Sequence, residues 1–159
     1  MRRSQAALLA GDFDAAYTLA AQAAADSTFQ IGDQALTAAA EAAIWQRDPA
    51  KVAHILALLE QGRAGRVLQA WQVEMQAAAA ALAGGGEAAG DGFLQARRLW
   101  QELGARWQAA LNRAHFALLC PQHVDAAAAA GEVRSLARDM GTPTLVTLLD
   151  SALGVGAAR

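Results

Sequence analysis

The sequence predicts an all-α fold, an array of antiparallel helix pairs containing about nine helices. Three observations lead there. Alanine fills 44 of the 159 positions, and it has the best helix propensity because it gives up no side-chain entropy on folding. Apolar residues recur at helical spacing through most of the chain, while no run alternates β-branched and polar residues as a strand would. Gly and Asp repeatedly interrupt these stripes, where a helix ends and another can be capped. Small side chains also let helices approach closely, which suits stacked hairpins.

The first helix, roughly Arg2 to Ala10, stops at Gly11, and Asp12 can cap the second by accepting hydrogen bonds from free backbone N–H groups. That second helix places Phe13, Ala16, Ala20 and Ala23 on one face. Asp26-Ser27-Thr28 is expected to end it and to cap a third helix over Phe29 to Gln46. The third is apolar along Phe29, Leu36, Ala40 and Ala43, and polar along Gln30, Gln34, Thr37 and Glu41. Asp48-Pro49 is the sharpest boundary, since proline at the first helical position gives up an N–H that would have no intrahelical partner. The fourth helix, to about Glu60, buries Val52, Ile55, Leu56 and Leu59, and Gln61-Gly62 closes it.

A long fifth helix, Arg63 to Ala83, carries Leu68, Trp71, Met75 and Leu82 on its apolar side. Residues 84–92, Gly-rich at both ends, read as a flexible inter-repeat loop. That reading is preferred to a phosphate cradle because a helix precedes the stretch and no Gly-Lys-Ser/Thr follows. The sixth helix buries Phe93, Ala96, Trp100 and Leu103 and ends at Gly104, and the seventh buries Trp107, Leu111, Ala114 and Leu118. After Cys120-Pro121 the eighth uses Val133, Leu136, Ala137 and Met140. Gly141 ends it, and Thr142-Pro143 starts the ninth by the same cap-plus-proline logic. Leu145, Val146, Leu148, Leu149 and Leu153 make the ninth helix leucine-rich. It is expected to cover the open end of the array, or to pair with its copy in a homodimer. Residues 1–153 then form one domain, and 154–159 a flexible tail.

Composition narrows the function classes. A formal net charge of −2 and a pI of about 5.9 argue against a nucleic-acid partner, which needs clustered cations on its phosphates. The longest greasy segment, Met75 to Ala83, is far below membrane-spanning length, so no membrane partner is expected. Cys120 is the sole cysteine, and a reducing cytoplasm is the natural setting. His115, Cys120 and His123 lie close in sequence, but no fourth ligand completes a tetrahedral zinc site. The serines show no nucleophile-elbow pattern, and carboxylate pairs such as Asp12 and Asp14 are accounted for by capping. The expectation is a protein with no catalytic residue, no metal and no cofactor.

The second helices of successive pairs start near Asp12, Asp48, Asp91 and Val124, at intervals of 36, 43 and 33 residues. These bracket a period of about 34. Gly11-Asp12-Phe13-Asp14-Ala15-Ala16 resembles the turn of the tetratricopeptide (TPR) repeat, and Asp48-Pro49 is a looser version. The repeat's usual first-helix Trp, Leu-Gly and Tyr residues and its closing Pro are largely absent. Ala96 to Gly104 is similar to degenerate helical repeats near the C-termini of large bacterial signalling ATPases, transcriptional activators and cyclases.

The resemblance implies a right-handed superhelix of hairpins acting as a non-catalytic protein-binding or regulatory scaffold. In such arrays the first helix of each pair lines a concave groove. On the third helix that face offers Gln34, Thr37 and Glu41; on the seventh, Gln108, Asn112 and His115, with Phe116 beside them. Trp45 lies in line with Gln34 and Glu41, and is either an exposed anchor or packed against an adjacent repeat. These eight residues are the candidate partner-binding set. A protein or peptide segment is the expected occupant, and small-molecule or peptide sensing the alternative.

Overall fold

The computed structural model describes residues 2–25, 30–61 and 65–154, without the side chains of residues 2, 5, 25 and 30–33. Its elements are α1 (Arg2–Leu9), α2 (Phe13–Ala25), α3 (Gln30–Gln46), α4 (Pro49–Gln61), α5 (Arg66–Leu82), α6 (Gly86–Glu102), α7 (Arg106–Leu119), α8 (Ala126–Asp139) and α9 (Pro143–Ala152). No strand occurs among the described residues. Phe29, the Gln30 side chain, the Asp26-Ser27-Thr28 cap, Gly62 and residues 155–159 lie outside them.

The turns show why the helices start and stop where they do. Asp48 Oδ1 accepts from the N–H groups of Ala50 at 2.9 Å and Lys51 at 3.1 Å, and Asp12 Oδ1 from Ala15 N–H at 3.1 Å. Both expected acidic caps therefore form. Thr142 does not cap α9; its hydroxyl donates back to the Ala137 carbonyl at 3.3 Å, leaving Pro143 to open the helix. At the end of α3, where glycine would be the easy residue, Arg47 takes a positive φ of 53°. Its guanidinium donates to the Ala152 carbonyl at 2.7 Å, so the arginine joins the α3–α4 turn to the last turn of α9. A cation at a helix C-terminus is also favoured by the helix dipole.

The Gly-rich stretch departs from the expected loop over 84–92. The connector is short, and α6 begins at Gly86 with Gly90 and Gly92 inside it. The cause is close packing of α6. A Cβ at Gly92 would lie 2.8 Å from Ala77 Cβ on α5, and one at Gly90 would lie 2.9 Å from the His123 ring. Glycine is thus kept for proximity to a neighbour, not for a turn. With α6 starting earlier, the even helices open at Phe13, Pro49, Gly86 and Ala126, a more regular spacing of 36, 37 and 40 residues.

This gives a prediction of opposite signs. Glycine to alanine inside a helix ordinarily stabilises by about 1 kcal/mol. Gly131→Ala, in α8 with nothing within 4 Å of the new Cβ, should gain roughly that amount. Gly92→Ala should instead lose about 1–3 kcal/mol, because α5 and α6 must move apart. Urea unfolding of the two variants checks both signs.

Each helix packs on its chain neighbours, and α1, α3, α5, α7 and α9 also pack on one another in that order as an inner row. In addition α3 touches α7, so the row bends back on itself. Gly11, in the α1–α2 turn, sits where its Cβ would be 4.0 Å from Leu148 on α9. Consequently α9, with Leu145 and Leu149 buried, meets the N-terminal turns as well as α7 and α8. The helix at the centre is α7, whose residues Ala110 to Leu118 are all buried.

Candidate functional site

Between α3, α5 and α7 the inner row leaves a groove made of two adjoining cavities, of about 600 and 460 Å³. Gln34 and Thr37 from α3, Trp71 from α5 and Gln108 from α7 border both. The larger extends along Arg66, Val67 and Leu68. The smaller extends past Glu41, Trp107 and Leu111 to Leu8 and Leu9 of α1. Its walls are therefore indole and aliphatic, and its polar atoms are side-chain amides, one hydroxyl and one carboxyl. Leu9 and Val67, 54% and 50% exposed, stand at the two ends and are among the large hydrophobic residues most open to solvent.

Beneath this groove lies a buried polar network. One carboxylate oxygen of Glu74 accepts the indole N–H of Trp100 at 2.7 Å, and the other is 2.7 Å from Nδ1 of His115. All three side chains are essentially dry. The second ring nitrogen of His115, both amide atoms of Asn112 and the indole nitrogen of Trp45 have no hydrogen-bond partner among the described residues.

Glu41 sits above this network. Its carboxyl forms no hydrogen bond or ion pair among the described residues, and desolvation pushes its pKa up to about 7, with His115 opposing and Glu74 reinforcing the rise. The folded chain thus holds a proton that an unfolded chain releases near 4.5. The stabilisation that this proton brings is complete below that value and is lost as pH rises through about 7. Glu41→Gln should match the native chain at pH 4 and exceed its stability at pH 8. Because the carboxyl is partly open to the groove, the difference should be on the order of 2 kcal/mol, short of a fully dry site. Denaturant titrations at the two pH values measure it.

The eight residues proposed from sequence divide into two sets. Gln34, Thr37, Glu41 and Gln108 border the groove together. Trp45, Asn112, His115 and Phe116 do not reach it as contact residues: they are 5%, 1%, 0% and 1% exposed. Trp45 is therefore no exposed anchor; its ring stacks on Phe13 and meets the edge of His115. Asn112, His115 and Phe116 are covered because α7 is enclosed by α3, α5, α6, α8 and α9. Phe116 packs between Phe93 and His123.

Glu74, Trp71, Leu9 and Val67 were missed. Glu74 carried a readable signal: it is three residues after Trp71 and next to Met75, a carboxylate placed on an apolar stripe.

Burial pushes the Cys120 thiol up from its ordinary value, away from the nucleophilic thiolate. Among the described residues no group of three His, Cys, Asp or Glu side chains could hold a metal ion. No helix among them is long and apolar enough to cross a membrane. Comparisons with family models, curated proteins and solved structures find no match to this chain.

Proposed function

We propose that the chain is a non-catalytic helical-repeat module, similar to tetratricopeptide arrays, that takes an extended segment of a protein partner into the groove between α3, α5 and α7. The observation that carries this reading is the meeting of Gln34, Thr37, Glu41 and Gln108 at one groove. Side-chain amides can hold the N–H and C=O groups of an extended backbone, and Trp71, Leu68 and Leu111 offer apolar surface for its side chains. The even spacing of the second helices and the inner row of first helices agree with a repeat array. The resemblance implies a regulatory role, and the sole cysteine suits a reducing cytoplasm.

The test is photocrosslinking. A photoreactive residue replacing Gln108 should capture one short segment of a partner in lysate of the source organism, mapped by mass spectrometry. The same residue replacing Ala128, exposed on α8, should not. Capture from α8 and none from position 108 would reject the groove. Small-molecule sensing is the second reading, favoured by cavities of about 600 and 460 Å³, within the size range of small-molecule sites. Ligand-dependent tryptophan fluorescence, with no segment crosslinked, would support it.

A further inference from the structure

We infer that the segment bound in this groove presents a lysine or arginine side chain to Glu41, flanked by apolar residues that cover Leu9 and Leu111. The inference rests on the groove reading above and specifies the partner's chemistry.

Charge complementarity argues it. Among the described residues Glu41 is the only ionisable one on the wall of the smaller cavity; it has no hydrogen bond or ion pair to them, and His115 acts on it only as a nearby charge. The cation bordering the larger cavity, Arg66, is already joined to Glu102 at 3.1 Å. A carboxylate held in a partly dry groove gains most from an incoming cation, because solvent no longer screens it. Trp71 and Trp107 border the same cavity, and indole faces attract ammonium and guanidinium groups. Leu9, more than half exposed at its end, supplies surface that an alkyl stem or apolar neighbour can cover.

The charges around Glu41 fit the assignment. From α5 comes Glu74 and from α7 His115, already bonded to each other. On the α1 side the cavity wall is Leu8 and Leu9. From α2 and α4, Asp14 and Lys51 pair together. Cation binding must then expel the proton that Glu41 holds below about pH 7, while a lysine partner, with its pKa near 10.4, stays charged. Affinity should therefore rise about tenfold between pH 6 and pH 8.

The experiment selects dodecapeptides from a random phage-displayed library on the full chain at pH 8, then measures synthetic copies by calorimetry. Expected are peptides sharing one basic residue. Binding should weaken at least tenfold when that residue becomes norleucine, and again with Glu41→Gln, and the pH dependence should vanish in that variant. Peptides lacking a shared basic residue, lost on Gln108→Arg but unaffected by Glu41→Gln, would overturn the charge assignment and leave the groove standing. No selected peptide, or peptides unaffected by either change, would overturn both. Nα-acetyl-lysine methylamide binding as tightly as the peptides would also overturn the inference, since the ligand would then be a small cation.

Discussion

His115→Leu should lower the unfolding free energy by about 3–5 kcal/mol, the usual loss when one partner of a buried ionisable pair is removed. Glu74 has two buried carboxyl oxygens, one accepting from Trp100 Nε1 and the other hydrogen-bonded with His115 Nδ1, each at 2.7 Å. Taking away the imidazole leaves one oxygen in a site that water does not reach. Trp100→Phe strands the other oxygen while keeping most of the ring volume, and should lose about 1–3 kcal/mol. The double replacement Glu74→Leu with His115→Leu should be less harmful than the sum of the single ones, because both unpaired groups then disappear together. Urea unfolding across this double-mutant cycle gives the coupling. A His115→Leu variant within 1 kcal/mol of the native chain would show that the network is not a structural keystone.

Trp45→Ala should be comparably severe, about 3–5 kcal/mol, since it opens a cavity where α2, α3 and α7 meet. The indole lies nearly parallel to Phe13, with centroids 5.9 Å apart, and it also meets the edge of His115 at 5.7 Å. Its N–H has no hydrogen-bond partner among the described residues, so Trp45→Phe removes none of those bonds and should cost much less, about 1 kcal/mol. For a chain of this size the alanine variant should melt roughly 10 °C lower. Unchanged melting combined with lost partner binding would instead return Trp45 to the role of an exposed anchor.

These two predictions concern residues that a helical-wheel reading assigned to a concave surface. His115 and Asn112 share a polar stripe with Gln108, and in an isolated helix all three would face water. Only Gln108 keeps part of that exposure, since it lies in the first turn of α7 and borders the groove. Trp45 shares the polar line of Gln34 and Glu41 in the same way, but sits at the far end of α3, where α2 and α7 meet it. The residues that border the groove therefore lie where α3 and α7 stay open. Trp45, Asn112, His115 and Phe116 belong to the parts that neighbouring helices enclose, and Trp45 takes the packed one of its two expected roles.

What the sequence by itself determined is local. Alanine content and apolar stripes yield the helices, Asp12 and Asp48 cap them, and Gly104 and Gly141 end them with positive φ. These signals act within a turn or two of chain, through backbone hydrogen bonds and side-chain entropy, so they are legible from neighbouring residues. What only the tertiary structure decided is which faces stay wet. The α3–α7 contact and the closeness of Gly92 to Ala77 join residues far apart in sequence. So does the burial of Glu74 under His115 and Trp100. Helix periodicity says which residues share a face, but not how many neighbours will cover it, and that number depends on how the hairpins curl together.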